Sequence, residues 1–192
     1  MIKILEKMYS ALTLGAVLAL LAIFAFHRST AFETQYWPPF FTWLHVLSGI
    51  AWIGLLYYFN LVQIPTMPKV PAELKPAVSK YIAPEALFWF RWSALATVVT
   101  GVIVAHLHHY LLPALTLDAP SRTIGTGMWL GLIMAANVWF IIWPNQKRAL
   151  GIVPSEDAVK AKSARVAMLA SRTNFVLSVP MLYCMVTSNL IG

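Results

Sequence analysis

Five apolar stretches, each long enough to cross a lipid bilayer as a helix, constrain this sequence more than any other feature. They cover about residues 9–26, 40–63, 86–112, 123–143 and 172–191. A helix needs about 20 apolar residues to cross ~30 Å of hydrocarbon. Only 11% of the residues are charged, whereas a soluble domain carries roughly 25%. We therefore predict an all-α, polytopic membrane helical bundle, a single domain over residues 1–192 in contact with the lipid bilayer.

The positions of the basic residues predict the orientation of the helices. If the N-terminus lies in the cytoplasm, the outer loops hold only Arg28 and Arg122. The cytoplasmic segments then hold Lys3, Lys7, Lys69, Lys75, Lys80, Lys147, Arg148, Lys160, Lys162 and Arg165. Because lysine and arginine concentrate on the cytoplasmic side of membrane proteins, we predict a cytoplasmic N-terminus. The net charge of +7 is spread between the spans and forms no single basic face, so we predict no nucleic-acid partner.

Two histidines lie at matching depths on neighbouring predicted helices. His45 is about five residues into the second run and His106 about six from the end of the third, so both lie ~8–9 Å below the outer interface. Two imidazoles at one depth can ligate one heme iron, which predicts a heme b. Gly49, one turn from His45, leaves room for the flat macrocycle, and Met128 is an alternative second ligand. The other interpretation is that each histidine only hydrogen-bonds a neighbouring helix.

A second group of polar residues lies towards the opposite ends of the helices. Arg91 and Arg172, together with the Asn60 amide, form a candidate site for an anion such as a heme propionate, a quinone oxygen or a planar anionic substrate. The alternative is that both arginines extend to the lipid headgroups. Asn137 is a further candidate for contact with the anion or substrate, and because it lies nearer the middle of its span, its amide must find a partner.

Four segments resemble one known family in their residue identities as well as in their hydropathy. They are TWLHVLSGIAWIGLLYYFNLVQIP (Thr42–Pro65), KPAVSKYIAPEALFWFRW (Lys75–Trp92), GMWLGLIMAANVWFIIWPNQKRALG (Gly127–Gly151) and SRTNFVLSVPML (Ser171–Leu182). They resemble the membrane domain of cytochrome-c-linked bacterial urate oxidase. The stretch from Trp43 to Gly54 is more distantly similar to the heme-dependent membrane protoporphyrinogen oxidases, in which a heme-linked histidine occupies the place of His45.

The resemblance implies a protein of the bacterial inner membrane that passes electrons from a reduced small substrate, such as urate, or from the quinone pool towards cytochrome c. The full urate oxidase carries its own cytochrome c domain. This sequence has no Cys-x-x-Cys-His motif for covalent heme, so we expect a separate cytochrome c or a larger complex as partner. The resemblance assigns no catalytic residue.

Two other classes of function are open to a chain of this composition. It fits a non-catalytic accessory subunit of a larger respiratory or photosynthetic membrane complex, which would hold lipid, pigment or neighbouring helices. A transporter or channel is less favoured, because no acidic residue lies in mid-membrane and no inverted repeat is visible.

Overall fold

The computed structural model describes residues 2–31 and 33–188, and most of them are helical. Five helical segments within this part are long and apolar enough to cross a membrane. They contain the helices α1 (Met8–His27), α2 (Trp37–Tyr57), α3 (Ala83–Leu107), α4 (Arg122–Asn137) and α5 (Asp157–Thr187). The described residues include no β-strand. The prediction of an all-α, multi-span membrane protein is confirmed, whereas the orientation of the helices stays a prediction.

The chain divides into two compact units, Met1–Phe40 and Phe41–Gly192. The first unit contains α1, in which no residue is buried, so its apolar side chains are free to contact lipid. Its aromatic residues cluster around Tyr36, whose ring centroid lies 5.9 Å from that of His27 and 5.8 Å from that of Phe40. The single domain over residues 1–192 stays a prediction.

The second unit is built around a continuous apolar core to which α2, α3, α4 and α5 all contribute. Its buried members are Trp52, Leu56, Phe59, Leu87, Phe90, Ala94, Met134, Ala135, Val138, Ile142 and Met181. Phe59 and Phe90 meet edge to face, with ring centroids 5.6 Å apart. Lipid tails are as apolar as these side chains, so close packing, and not the hydrophobic effect, holds such helices together.

Three wide π-helical turns each come just before a proline. They are Tyr58–Gln63 before Pro65, Val78–Ile82 before Pro84 and Val138–Ile142 before Pro144. A proline clashes with the carbonyl group four residues earlier and cannot donate to it. That carbonyl lies inside the wide turn in all three cases, and the π geometry gives it room. The second and fourth predicted runs therefore do not stop at residues 63 and 143, because helix continues to Thr66 and Ala149.

The third predicted run, 86–112, ends too late. Helix α3 stops at Leu107 because His109 has a left-handed backbone with φ of 61°. The Tyr110 amide donates to the Ala105 carbonyl at 3.1 Å, which caps the helix in the manner of a Schellman motif. A separate short helix, Leu111–Thr116, follows and packs on α4.

The fifth predicted run, 172–191, begins too late. Helix α5 starts at Asp157, where an acidic residue in the first turn is favoured by the helix dipole, and Asp157 also pairs with Lys160 at 2.9 Å. The charged residues Lys162 and Arg165 of this segment lie on its exposed face. Residues 189–191 of the prediction lie outside the described part of the chain.

We predict that replacing Gly125 of α4 by alanine destabilises the protein, and that the same replacement of Gly131, also on α4, does not. A Cβ atom at Gly125 would overlap the Ala114 carbonyl oxygen, whereas one at Gly131 meets nothing within 4 Å. The Gly125→Ala substitution should therefore lower the free energy of unfolding by about 1–3 kcal/mol, and Gly131→Ala should not. The measurement is the unfolding midpoint of each variant in mild detergent. Equal midpoints would contradict the close contact between α4 and the 111–116 helix.

Candidate functional site

The His45 imidazole on α2 is held by α3. Its Nδ1 atom lies 2.9 Å from the carbonyl oxygen of Thr97 and 3.3 Å from the hydroxyl oxygen of Thr100. A carbonyl oxygen only accepts hydrogen bonds, so Nδ1 carries the hydrogen and donates it. The Thr100 hydroxyl in turn donates to the Ala96 carbonyl at 2.6 Å. In the neutral imidazole this leaves Nε2 with a free lone pair, the form in which histidine binds metals.

Gly101 allows the imidazole to lie this close to α3. A Cβ atom at this position would lie 2.8 Å from Cε1 of His45 and 3.7 Å from its Nε2 atom. Thr97 and Gly101 are one turn apart on the same face of α3. The contact between α2 and α3 at this depth therefore depends on a glycine and on a backbone carbonyl.

The structure does not bring His106 to this face. His106 comes nine residues after Thr97, which is two and a half turns of an α-helix, and its side chain is exposed. Met128 is half-buried on α4, and open space surrounds the position of a Cβ atom at Gly49. The described residues contain no group of three or more His, Cys, Asp or Glu that fits a metal ion. The second axial ligand therefore stays a prediction.

The two arginines of the predicted anion site lie in different environments. Arg91 is only 9% exposed, and its guanidinium lies 3.4 Å from the centre of the Trp143 ring. This is a cation–π contact between α3 and the extension of α4. The Nη1 atom of Arg91 is buried and finds no hydrogen-bond partner in the described part of the chain. Arg172 is exposed, which fits a side chain that extends to the headgroups.

Asn137 finds its partner on α5. Its amide nitrogen donates to the Ala170 carbonyl at 2.9 Å and to the Asn174 side-chain oxygen at 2.7 Å. The amide of Asn174, which is completely buried, donates back to the Met134 carbonyl at 3.0 Å. Two helices are therefore joined in both directions by a pair of asparagines.

Asn60 makes the corresponding contact between the end of α2 and α5. Its amide donates to the Leu56 carbonyl and to the Ser171 hydroxyl, both at 2.9 Å. Two turns further along α5, the Ser178 hydroxyl lies 3.2 Å from the hydroxyl of Tyr57. These contacts place a line of polar groups between two apolar helices.

Several polar groups beside these contacts lack a partner. The side-chain oxygens of Asn60, Gln63 and Asn137 are buried without a hydrogen bond in the described part of the chain. A cleft of about 580 Å³ opens next to Gln63, at the end of the helices that adjoins residues 65–84. We call it the proline-loop cleft. Its polar lining residues are Gln63, Lys75, Ser79, Gln146 and Ser171.

Sequence reasoning missed Thr97 and Gly101 as the contacts of His45, and it did not identify the buried face of α5. The sequence does indicate this face, because small and polar residues recur along α5 at intervals of three or four. The buried members of this stripe are Ser163, Ala167, Ser171, Asn174 and Ser178. Such spacing puts them on one helix face, which is typical of a helix–helix interface in a membrane.

We predict that the asparagine pair contributes strongly to stability. Asn174→Ala removes one of the two acceptors of the Asn137 amide and the side-chain donor to the Met134 carbonyl, which should cost about 1–3 kcal/mol. Thr173→Ala is the matched control, because the exposed Thr173 hydroxyl bonds only to Leu169 of its own helix, at 3.1 Å. The free energy of unfolding, measured by titration with sodium dodecyl sulfate, should fall for the first variant only. Similar losses in both would contradict the role given to Asn174.

Residues 118–190 match the protein family described as urate oxidase N-terminal. This range contains α4 and α5 with the asparagine pair, and it does not contain His45 or Arg91. No curated protein and no solved structure matches the chain. With its five helices long and apolar enough to cross a membrane, the chain is a multi-pass membrane protein, and its C-terminal part is similar to the urate oxidase N-terminal family.

Proposed function

We propose that this chain is the membrane part of a redox system, with a b-type heme held by Nε2 of His45. It would connect a reduced small substrate, urate or a quinol, to a separate cytochrome c or a larger complex, in the inner membrane of a bacterium. The observation that supports this most is the hydrogen bond from Nδ1 of His45 to the Thr97 carbonyl. The relationship to urate oxidase supports the redox class.

The residues around His45 fit an axial heme ligand. A histidine that binds a metal almost always donates its other ring N–H to a carbonyl or carboxylate, which orients the ring and makes it more basic. Thr97 supplies that carbonyl, and Gly101 lets the ring lie directly against α3. Open space at Gly49, one turn away on α2, suits a flat macrocycle. A heme bound here would supply one-electron chemistry.

Other residues of the chain have narrower parts in this proposal. Met128 and His106 are the candidates for a second ligand, and Met128 is the less exposed of the two. Arg91 has a buried N–H group available for an anionic partner, such as a heme propionate or an anionic substrate. Asn60 also has an unused side-chain oxygen. Arg172 is the weaker candidate, because its side chain is exposed.

A second candidate function is a non-catalytic subunit of a larger membrane complex. The observation that favours it is α1, an apolar helix in which no residue is buried. Such a surface suits contact with another membrane protein as well as with lipid. This function predicts copurification with a larger complex and no heme in the isolated chain.

We predict that His45→Ala removes the heme from the purified protein. Loss of the proposed axial ligand should lower the heme content by about tenfold or more, as even changes in the surroundings of a metal ligand cost 10–100-fold in affinity. The measurement is the pyridine hemochrome assay per mole of chain. The matched control is His108→Ala, since His108 is exposed at the end of α3.

The two variants separate the proposed functions. Heme that is retained in His45→Ala, or lost equally in His108→Ala, would contradict the role of His45. Absence of heme from the folded wild-type protein, expressed with heme in excess, would leave the accessory subunit as the better account.

A further inference from the structure

We propose that the proline-loop cleft binds the ring of a lipid-soluble quinol. This inference rests on the proposed redox function and deepens it, because it names the class of reduced substrate and the place where it binds. The cleft lies between the end of α2, the beginning of α3, the extension of α4 and the first turns of α5.

The walls of the cleft suit an apolar ring. Phe59, Leu87, Phe90, Ile142 and Met168 line it, and the rings of Phe59 and Phe90 pack edge to face at 5.6 Å. A volume of about 580 Å³ falls within the 300–1,000 Å³ range of small-molecule sites. A ligand that is polar all round would leave these walls uncovered, so the ligand must be largely apolar.

One polar group in the cleft requires a hydrogen-bond donor. The Oε1 atom of Gln63 is buried and has no partner in the described part of the chain. Asn60 Oδ1 is also buried and unpartnered, and the Asn60 amide donates to Ser171, which lines the cleft. Buried carbonyl oxygens are normally satisfied, so an O–H or N–H group of the ligand is the missing partner.

A second set of polar groups offers hydrogen-bond donors to a ligand. Lys75 lines the cleft and is in no ion pair among the described residues, and the lining includes no Asp or Glu. The Gln146 side-chain amide adds a further donor. These groups fit an uncharged or partly charged ring oxygen, and a single lysine does not fit a polyanion.

A quinol satisfies these requirements together. Its ring hydroxyls donate to an amide oxygen and accept from an ammonium or amide group, and its ring and tail are apolar. An anionic phospholipid would also pair with Lys75. Its phosphodiester group has no hydrogen to donate to Gln63, and a head group that does carry hydroxyls, such as that of phosphatidylglycerol, is too polar to cover the apolar walls, so the observations favour the quinol.

Photolabelling with a ubiquinol that carries a photoreactive diazirine on its tail, and that is kept reduced by excluding oxygen, tests this proposal. The intact protein is placed in phosphatidylcholine nanodiscs, illuminated, and mapped by peptide mass spectrometry. We expect labelling in residues 59–68, 75–90, 142–150 or 164–171, and competition by decylubiquinol added without oxygen. Gln63→Leu should reduce the labelling about tenfold, the loss of one well-placed buried hydrogen bond.

Three further variants test whether the labelling depends on the cleft and whether it is independent of the heme site. Ala164→Phe fills the cleft from an exposed position, so it should block labelling without unfolding the protein. Gln35→Leu is the matched control, because Gln35 does not line the cleft, and it should label like the wild type. His45→Ala should lose heme and keep the labelling, which separates failure of the heme site from failure of this site.

The contrary results are equally specific. Labelling that survives both Gln63→Leu and Ala164→Phe in folded protein would overturn the proposal. Labelling confined to other peptides, or competition by phosphatidylglycerol equal to that by decylubiquinol, would overturn it as well. The last result would identify the cleft as a site for anionic lipid.

Discussion

Hydrogen bonds that cross from one helix to the next determine how the second unit packs. In hydrocarbon a side-chain N–H or C=O group has no water to pair with, so it must find a partner in the protein. His45 pairs with the backbone of α3, and Asn60 and Asn137 both pair with α5. Each bond sets the rotation of two helices at once. The apolar core then fills the space between helices whose facing sides are already determined.

The prolines have a different effect from the one that the sequence pattern indicates. The second and fourth predicted runs stop just before Pro65 and Pro144, and the third begins just after Pro84, but each proline follows a wide turn that lets the helix continue. The continued ends of α2 and α4 bring Gln63 and Gln146 to the proline-loop cleft. A backbone adjustment that relieves a steric clash thereby builds the walls of a cavity. The steric effect of the prolines therefore contributes to the shape of the proposed ligand site.

Hydropathy was sufficient to locate the spans, because crossing a bilayer requires only length and apolar character. Hydropathy was not sufficient to predict which residues contact each other between helices, since it does not give the rotation of each helix about its axis. The sequence predicted that His45 and His106 match in depth, yet the His45 ring lies level with Thr97 and Gly101, and His106 comes two and a half turns after Thr97 on the opposite face of α3. The stripe from Ser163 to Ser178 did contain rotational information. Its spacing marked the buried face of α5 before any contact was known.

The proposed heme site depends on the neutral His45 tautomer that has a hydrogen on Nδ1 and a free lone pair on Nε2. The most direct test is ¹⁵N NMR of histidine-labelled, heme-free protein in detergent, with the His45 signals assigned by their loss in His45→Ala. We predict that Nδ1 is protonated and is protected from hydrogen exchange by its bond to Thr97, and that Nε2 carries no hydrogen. A hydrogen on Nε2 with a bare Nδ1 would contradict it, because the lone pair would then face the Thr97 carbonyl and no nitrogen would be available for iron.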